Sequence, residues 1–489
     1  MPLQRDRQLR NPLARLPYEY VVAIVFVTAL FMEIMDSTVV NVALETISVD
    51  LGVGISSVEW VVTAYLLSLA VWIPASGWIG DRFGTKRTIL MAIAIFTVAS
   101  AACGLAQNLP PLIAFRVLQG VGGGMLTPVG TAILFRAFPP ERRAKASTVL
   151  IIPTVLAPAS GPIIGGLLIQ QLSWRWIFYV NVPIGIAAFV FGAIGLREER
   201  QPHPGSFDVG GFLLSAFGLA SVLFAISEGP TYGWGSPRVL GAAVLGLALL
   251  AVFVGWELRR SEPMLHLRLL TNRMFRLSNL VGAFVYGSFI GVIFLLALFL
   301  QQARELSPLH AGLTIFPEAL GVVCASQIVG RVYPYVGPRR LLAGGLVALT
   351  IAMLALTTID ASTSLWTIRT LVFFTGACFG CTLVPLQVAT FADISPTNTG
   401  QASAIFSTQR QVAAALGVAL LATVLTRQAP AHGGELTTLA VDDRFASFRW
   451  AFLAAGSLSL IGAVVALFIR DSDAQATMQP GARPASAAH

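Results

Sequence analysis

Charged residues are scarce in this sequence. Only 11% of its 489 residues are Asp, Glu, Lys or Arg, whereas 55% are apolar and the mean hydropathy is +0.76. A soluble domain carries about 25% charged residues, so water cannot solvate most of this chain. The composition argues against a soluble enzyme and predicts an integral membrane protein.

Residue patterns that support catalysis or metal binding are also missing. The four cysteines all fall in apolar stretches, and the CxxC of Cys378 and Cys381 has no second pair with which to hold a metal. No GxxxxGK[ST] phosphate loop, paired-His or Ser/His/Asp pattern occurs. We expect no enzymatic activity, no metal and no cofactor, with a proton gradient rather than ATP as the energy source.

The apolar runs are long enough to cross a bilayer many times. A crossing helix needs about 20 predominantly apolar residues. The first run is full length, so we expect it to be retained as a helix rather than removed as a signal peptide. Fourteen such runs lie between the charged clusters, at about 20–44, 57–80, 87–107, 110–135, 146–170, 174–196, 209–228, 239–257, 276–302, 310–332, 341–359, 363–391, 402–426 and 448–469.

The basic residues are distributed asymmetrically between the two sides of the predicted membrane protein. With the N-terminus inside, 23 of the 32 Lys and Arg residues fall in inside segments and six in outside segments. This positive-inside asymmetry predicts a multi-pass protein of the bacterial inner (plasma) membrane with both termini in the cytoplasm. It also explains the net charge of +8 without a nucleic-acid partner.

The chain repeats itself at an offset of 253 residues. Gly77–Arg87 matches Gly330–Arg340 in both glycines and both terminal basic residues, and Arg116 matches Arg369. Parallel repeats of this kind are typical of transporters whose halves rock about a central site. We predict an all-α membrane protein with an N-terminal six-helix bundle at 1–200, an inserted transmembrane hairpin at 201–262, a C-terminal six-helix bundle at 263–471 and a disordered cytoplasmic tail at 472–489.

The segment Gly77–Leu90, GWIGDRFGTKRTIL, resembles the cytoplasmic signature of the major facilitator superfamily. In that family the loop latches the two halves together, and the resemblance implies the major facilitator fold. Glycines allow close helix approach and a tight turn, Asp81 can cap a helix N-terminus, and the neighbouring basic residues can pair with it. We assign the conformational latch to Gly77, Asp81, Arg82, Gly84, Lys86 and Arg87.

Ionisable residues within membrane spans are costly and are functional by default. The run Asp36-Ser-Thr-Val-Val-Asn41 resembles the first-helix signature of the fourteen-span drug:proton antiporter branch, and Glu33 lies one turn before Asp36 on the same helix face. Arg116-Val-Leu-Gln119-Gly is similar to the RxxQG signature that the family associates with proton coupling. We predict proton coupling by Asp36, Glu33 and Arg116, with Arg116 paired to an acid of the first span.

The fifth span carries the run from Pro158 to Gly166, PASGPIIGG, which is similar to the GPxxGG signature of antiporters. Its prolines remove backbone donors and bend the helix, while Gly161 and Gly165 form a GxxxG packing face. The segments 174–185 and 208–214 resemble elements of the fourteen-span branch. We assign the antiporter helix to Pro158, Gly161, Pro162, Gly165 and Gly166.

The second half contains two further ionisable candidates. Glu318 lies within the tenth span beside Pro317, and we add it to the proton-coupling positions on physical grounds. Arg410 in the thirteenth span either lines a substrate cavity or pairs structurally with an acid such as Asp393. The other candidates for the substrate cavity are Tyr65, Gln119, Asn41 and Tyr286.

The resemblance implies a proton-coupled exporter of amphipathic, hydrophobic or cationic compounds, of the multidrug efflux type that confers antibiotic resistance. Two alternatives stay open: a lipid or cell-envelope precursor transporter on the same scaffold, and a proton-coupled nutrient symporter. The expected partners are membrane lipids, small amphipathic substrates and protons, and we expect a monomer.

Overall fold

The computed structural model describes residues 16–200, 205–428 and 441–478, which contain helices and no strand. The prediction of an all-α protein is confirmed. Each long helix coincides with one predicted span: α1 (Tyr18–Leu51), α2 (Ile55–Phe83), α3 (Thr85–Leu105), α4 (Leu109–Ala137), α5 (Arg143–Gln171), α6 (Asn181–Gly195), α7 (Val209–Tyr232), α8 (Pro237–Arg259), α9 (Arg273–Leu298), α10 (Pro308–Val336), α11 (Pro338–Leu356), α12 (Leu365–Thr390), α13 (Thr399–Gln428) and α14 (Val441–Ala466).

Thirteen spans of the described chain are long and apolar enough to cross a membrane without a sharp bend, one of them joining the short helix Trp176–Tyr179 to α6. Helix α5 makes the fourteenth, with a bend of 41° between Pro158 and Ile163. Pro158 and Pro162 supply the physical reason, because proline lacks the N–H that would bond to the preceding turn. The prediction of fourteen spans is confirmed as thirteen straight spans plus this bent one.

The turns between helices lie at two ends of the molecule. Gly84 and Gly337, with φ of 95° and 84°, turn the chain at one of these ends. We call it the basic end, because Lys86-Arg87 and Arg339-Arg340 follow those glycines. Only glycine adopts this left-handed region without strain, which explains why both repeats carry glycine there. Gly52 and Gly233 mark the opposite end.

The helices pack in two groups, α1–α6 and α9–α14, with the hairpin α7–α8 beside them. Helix α7 contacts both groups, through α2 and α13, and Trp234 Nε1 donates to Thr423 Oγ1 of α13 at 2.8 Å. Helix α8 packs mainly on α7 and exposes apolar side chains suited to lipid. The domain bounds at 200 and 262 stay predictions, since residues 201–204 lie outside the described chain.

The predicted disordered tail is wrong for its first residues. The chain forms a 3₁₀ turn at Asp471–Ala474 and a helical turn at Gln475–Met478. Asp471 accepts from the backbone N–H of Arg339 at 2.9 Å, and Thr477 Oγ1 lies 2.9 Å from Tyr333 Oη. These contacts stabilise the segment against α10 and α11, which composition alone could not indicate. The prediction for 479–489 lies outside the described residues.

Candidate functional site

Four buried side chains from three helices meet near the middle of α1. Asp36 Oδ2 pairs with Arg116 Nη1 of α4 at 2.5 Å. Asp36 Oδ1 accepts from Gln119 Nε2 at 2.9 Å and from Asn181 Nδ2 of α6 at 2.8 Å. All four residues, here named the Asp36 cluster, are 0% exposed. The expected pairing of Arg116 with an acid of the first span is therefore present.

Arg116 is held on several sides. Its Nε donates to the carbonyl oxygen of Val61 at 3.0 Å, and Nη1 also donates to Gln119 Oε1 at 2.7 Å. The guanidinium carbon lies 4.1 Å from the centre of the Tyr65 ring, a distance at which a cation is attracted to the ring face. These contacts offset the desolvation of a charge that would otherwise be expensive to bury.

Protonation of Asp36 would disturb the cluster. A buried ion pair that loses one partner is destabilised by about 3–5 kcal/mol, because the remaining charge has neither water nor a counterion. A proton on Asp36 would leave Arg116 in that condition. The arrangement can therefore take up a proton only if Arg116, or the helices around it, rearrange.

Two residues predicted to line a substrate cavity lie within or against this cluster in the structure. Tyr65 and Gln119 are both 0% exposed, the first beneath the guanidinium and the second between Arg116 and Asp36. Helices α2 and α4 approach closely here, with Gly120 and Gly124 against the backbone of α2, and the assignment of Tyr65 and Gln119 to a substrate cavity stays a prediction. Asn41 is exposed on α1 and donates to the backbone of Ser37 at 3.3 Å. Tyr286 is buried edge-on against Phe379 and Phe406.

Glu33, one turn before Asp36, has a different environment. Its Oε2 accepts from Thr127 Oγ1 of α4 at 2.8 Å, and the side chain is almost fully buried. Arg410 of α13 acts electrostatically on Glu33 from the other helix group. The guanidinium of Arg410 lies 5.9 Å from the Tyr286 ring centre, and no ion pair joins it to Asp393 among the described residues. Asp393 accepts from Asn272 Nδ2 at the basic end instead.

The predicted antiporter helix packs on α1 directly after Asp36. Gly161 abuts Thr38, and Gly165 abuts Val39. Gly166 has open space around its Cα. The bend between Pro158 and Ile163 therefore lies where α5 touches the acid-bearing helix, so that a change in the tilt of either helix must be met by the other.

At the basic end, the latch segment joins the two helix groups. A Cβ on Gly77 of α2 would lie 3.0 Å from the carbonyl oxygen of Gly400 in α13, so the two backbones meet without side chains between them. Asp81 lies at the first turn of α13, where a carboxylate is favoured by the helix dipole. Its ion-pair partner is Arg136 Nη2 of α4 at 3.1 Å, and Arg136 Nε donates to the carbonyl oxygen of Pro396.

The expected pairing of Asp81 with the basic residues of its own loop is wrong. Lys86 Nζ donates to the carbonyl oxygen of Ala193, and Arg87 lies 3.6 Å from Glu198 at the end of α6. Arg82 forms no ion pair with any described residue. The reason is the turn at Gly84, which directs the residues after it toward α6 and away from α13.

A second set of contacts closes the same end on the other side. Gly330 of α10 abuts Thr148 of α5, at the position that matches Gly77 in the repeat. Ser403 Oγ donates to the carbonyl oxygen of Pro128 at 2.8 Å. The structure is thus closed between the two groups at the basic end.

Glu318 of α10 lies apart from these contacts. It is 3% exposed, its Oε1 has no hydrogen-bond partner, and it forms no ion pair within the described residues. The backbone of Glu318 packs against Gly376 of α12. Its assignment to proton coupling stays a prediction. No group of three or more His, Cys, Asp or Glu in the described residues could hold a metal ion.

Sequence reasoning missed two residues of these sites. Asn181 received no role although it is an amide within an apolar span, and an uncharged polar residue at that depth needs a partner. Arg136 is one of the 23 basic residues of the inside segments, and nothing in its position along the chain marks it as the partner of Asp81. In both cases the residue type was informative, but its partner lies 145 or 55 positions away.

We predict that Asp36→Asn destabilises the protein by about 3–5 kcal/mol, because Arg116 then stays buried without a counterion. The measurement is thermal unfolding of the purified protein in detergent. The double variant Asp36→Asn/Arg116→Gln should recover part of the loss. Glu305→Gln is the matched control. Glu305 pairs with Arg444 at 3.1 Å, but the Glu305 side chain is exposed, and exposed ion pairs contribute about 0–1 kcal/mol. Equal destabilisation in both single variants would contradict the account of the cluster.

We predict that Gly77→Ala opens the basic end, because the added Cβ would lie 3.0 Å from the Gly400 carbonyl oxygen. Gly80→Ala is the control and should have no effect, since the nearest atom to its Cβ is a Val129 methyl at 3.7 Å. The measurement is maleimide labelling of Ser403→Cys in a chain without its natural cysteines. Labelling should rise severalfold with Gly77→Ala only. If both alanines give the same labelling rate, the backbone contact between Gly77 and Gly400 does not hold this end closed.

Comparisons with known proteins place the chain in a family. The family described as the Major Facilitator Superfamily matches residues 26–418. A Multidrug resistance protein B homolog of Mycobacterium tuberculosis is 38% identical over 408 residues, covering 83% of this chain and 76% of that protein. The putative multidrug resistance protein MdtD of Cronobacter sakazakii is 32% identical over 442 residues, covering 89% and 91% of the two chains.

A solved structure supports the same fold. The human organic anion transporter MFSD10 aligns with a TM-score of 0.64 at 16% identity, covering 92% of this chain and 99% of that one. At this identity the likeness concerns the fold alone. The family match and the two bacterial relatives carry the assignment further: this chain belongs to the major facilitator superfamily of membrane transporters.

Proposed function

We propose that the protein is a proton-coupled exporter of amphipathic, hydrophobic or cationic compounds, of the fourteen-span drug:proton antiporter branch. The Asp36 cluster is the observation that carries the proposal, because it combines a fully buried carboxylate with a cation that depends on it. Several bacterial relatives are named for multidrug resistance, and that of Streptomyces glaucescens for resistance to tetracenomycin C and its export.

In this proposal the positive-inside distribution places the basic end in the cytoplasm of a bacterial plasma membrane. The latch contacts then close the cytoplasmic side, so the state described here is the one that releases cargo outward. A proton reaching Asp36 neutralises it and frees Arg116 from the pair. No cofactor other than the proton gradient takes part.

The route from the proton to the latch follows helix contacts. Helix α1 carries Asp36 and packs on the bend of α5 through Thr38 and Val39, and the other end of α5 meets Gly330 of α10. A rearrangement of α1 on protonation therefore reaches the contact between the two helix groups through one intermediate helix. Glu33 offers a second site on the same helix, where its carboxylate accepts from Thr127 of α4.

The membrane potential adds to this drive. Moving one elementary charge across the membrane is worth about 2.3 kcal/mol per 100 mV. If more positive charge enters with protons than leaves with the substrate, each cycle uses the membrane potential as well as the pH gradient. Arg116 keeps the charge of the site defined, because a guanidinium remains protonated at every physiological pH.

We predict that proteoliposomes with an acid interior accumulate ethidium through the wild-type protein, and that Asp36→Asn lowers this uptake at least tenfold because the site can no longer exchange a proton. Glu318→Gln should also lower uptake if that acid takes part in coupling. Glu305→Gln, an exposed acid at the opposite end, serves as the control and should match the wild type.

Three outcomes would contradict the proposal. Absence of gradient-driven uptake in both protein orientations would overturn drug:proton antiport for this substrate class. Normal uptake by Asp36→Asn would overturn the assignment of the Asp36 cluster even if transport is real. Movement of fluorescent phospholipid between leaflets, without ethidium uptake, would favour the lipid transporter instead.

A further inference from the structure

An apolar groove opens between α2, α7, α9 and α13, in the half of the molecule that lies away from the basic end. Its volume is about 420 Å³, within the range of about 300–1,000 Å³ that small-molecule sites occupy. Leu66 of α2, Leu223 and Ile226 of α7, and Ile290 and Phe294 of α9 form much of its wall. Each helix group and the inserted hairpin thus contributes one side.

The groove is long enough to reach the middle of the membrane. Along α13 its lining runs from Ala422 to Gln411, which at 1.5 Å per residue corresponds to about 16 Å. Gln411 is the neighbour of Arg410, the residue that acts on Glu33 across the two groups. The groove therefore connects the opposite end to the depth at which the ionisable residues lie.

The mouth of the groove has a different chemistry. A second cavity of about 150 Å³ shares Thr63 with the groove and is lined by Glu59, Trp60 and Glu228. The Trp60 ring stacks on Phe224 of α7 with ring centres 6.3 Å apart, and Tyr232 completes an aromatic wall. The apolar groove and the aromatic and acidic cavity therefore adjoin at Thr63.

The charges at the mouth do not cancel. Glu59 of α2 and Glu228 of α7 line the same cavity. Arg238 also lines the mouth. None of the three forms an ion pair with a described residue, which leaves a net negative charge beside exposed aromatic rings. Such a combination attracts an organic cation through both its charge and the ring faces.

We propose that this pocket, at Glu59, Trp60, Glu228 and the groove below them, binds an amphipathic organic cation, with its apolar body in the groove and its charge at the two acids. The inference rests on the proposed export function and names a site on its exit path. Because the basic end is closed in this structure, a cation bound here already lies on the release side.

This assignment also gives the inserted hairpin a role. Helix α7 supplies Leu223, Phe224, Ile226 and Glu228, and the bond from Trp234 to Thr423 ties it to α13. Without α7 the gap between α2 and α13 would open to lipid. The hairpin turns that gap into a pocket with a wall and an acidic mouth.

The test is equilibrium binding of tetraphenylphosphonium to the purified full chain in phosphatidylcholine nanodiscs. The double variant Glu59→Gln/Glu228→Gln should weaken binding about tenfold, and Arg238→Gln should strengthen it. Triphenylphosphine oxide, an uncharged molecule with a similar body, should bind the double variant as it binds the wild type. Ala415→Trp, which fills the groove, should weaken both probes, and Glu305→Gln should change neither.

A second measurement does not depend on these variants folding normally. In a chain without its natural cysteines, Ser227→Cys lines the groove and is exposed, so tetraphenylphosphonium should slow its reaction with a maleimide. Unchanged binding in the double variant, or unprotected Ser227→Cys, would overturn the proposal. A third result would also overturn it: the wild type retains phosphatidylethanolamine, the double variant loses that lipid, and neither binds tetraphenylphosphonium. The pocket would then hold a lipid headgroup.

The outcome is separable from that of the proposed function. Tetraphenylphosphonium binding that depends on Glu59 and Glu228, without any gradient-driven ethidium uptake, would support the pocket and contradict proton antiport. Gradient-driven uptake with binding that is insensitive to Glu59 and Glu228 would support antiport and contradict the pocket.

Discussion

The pair between Asp36 and Arg116 is the constraint on which the rest of this structure depends. Both side chains are excluded from water, and such a pair persists only when each charge has its counterion and further hydrogen bonds. Gln119, Asn181, the Val61 carbonyl and the Tyr65 ring supply those contacts from three helices. The first helix group is therefore organised around a single charged contact that one proton can undo.

The position of that pair explains how a local event can reach the whole molecule. Close-packed helices do not deform continuously, so a change at Asp36 must shift α1 as a body. Helix α5 touches α1 just beyond Asp36, is bent at that level, and ends against α10 of the second group. The latch between α2 and α13 closes the same end. Two glycine contacts at matching repeat positions thus hold the groups together, Gly77 against the backbone of Gly400 and Gly330 against the side chain of Thr148.

The inserted hairpin is more than a spacer between two halves. Helix α8 faces outward with exposed apolar side chains, while α7 is placed between α2 and α13 and touches both groups. A helix in that place must slide against one of them whenever they rock. Helix α7 also closes the side of a groove that would otherwise be open to lipid, and it carries Glu228 at the mouth of that groove, away from the basic end.

The sequence by itself determined the helices, the span count, the repeat and the positions of the buried acids, because hydropathy, proline and glycine act locally along the chain. It also predicted that Arg116 would need an acid of the first span. Only the tertiary structure decided the partners. Asn181 bonds to Asp36, Arg136 rather than Lys86 pairs with Asp81, and the Tyr65 ring lies against the Arg116 guanidinium. Those partners depend on how each helix is rotated and which helices are neighbours, and residues 55 or 145 positions apart carry no local signal of their contact.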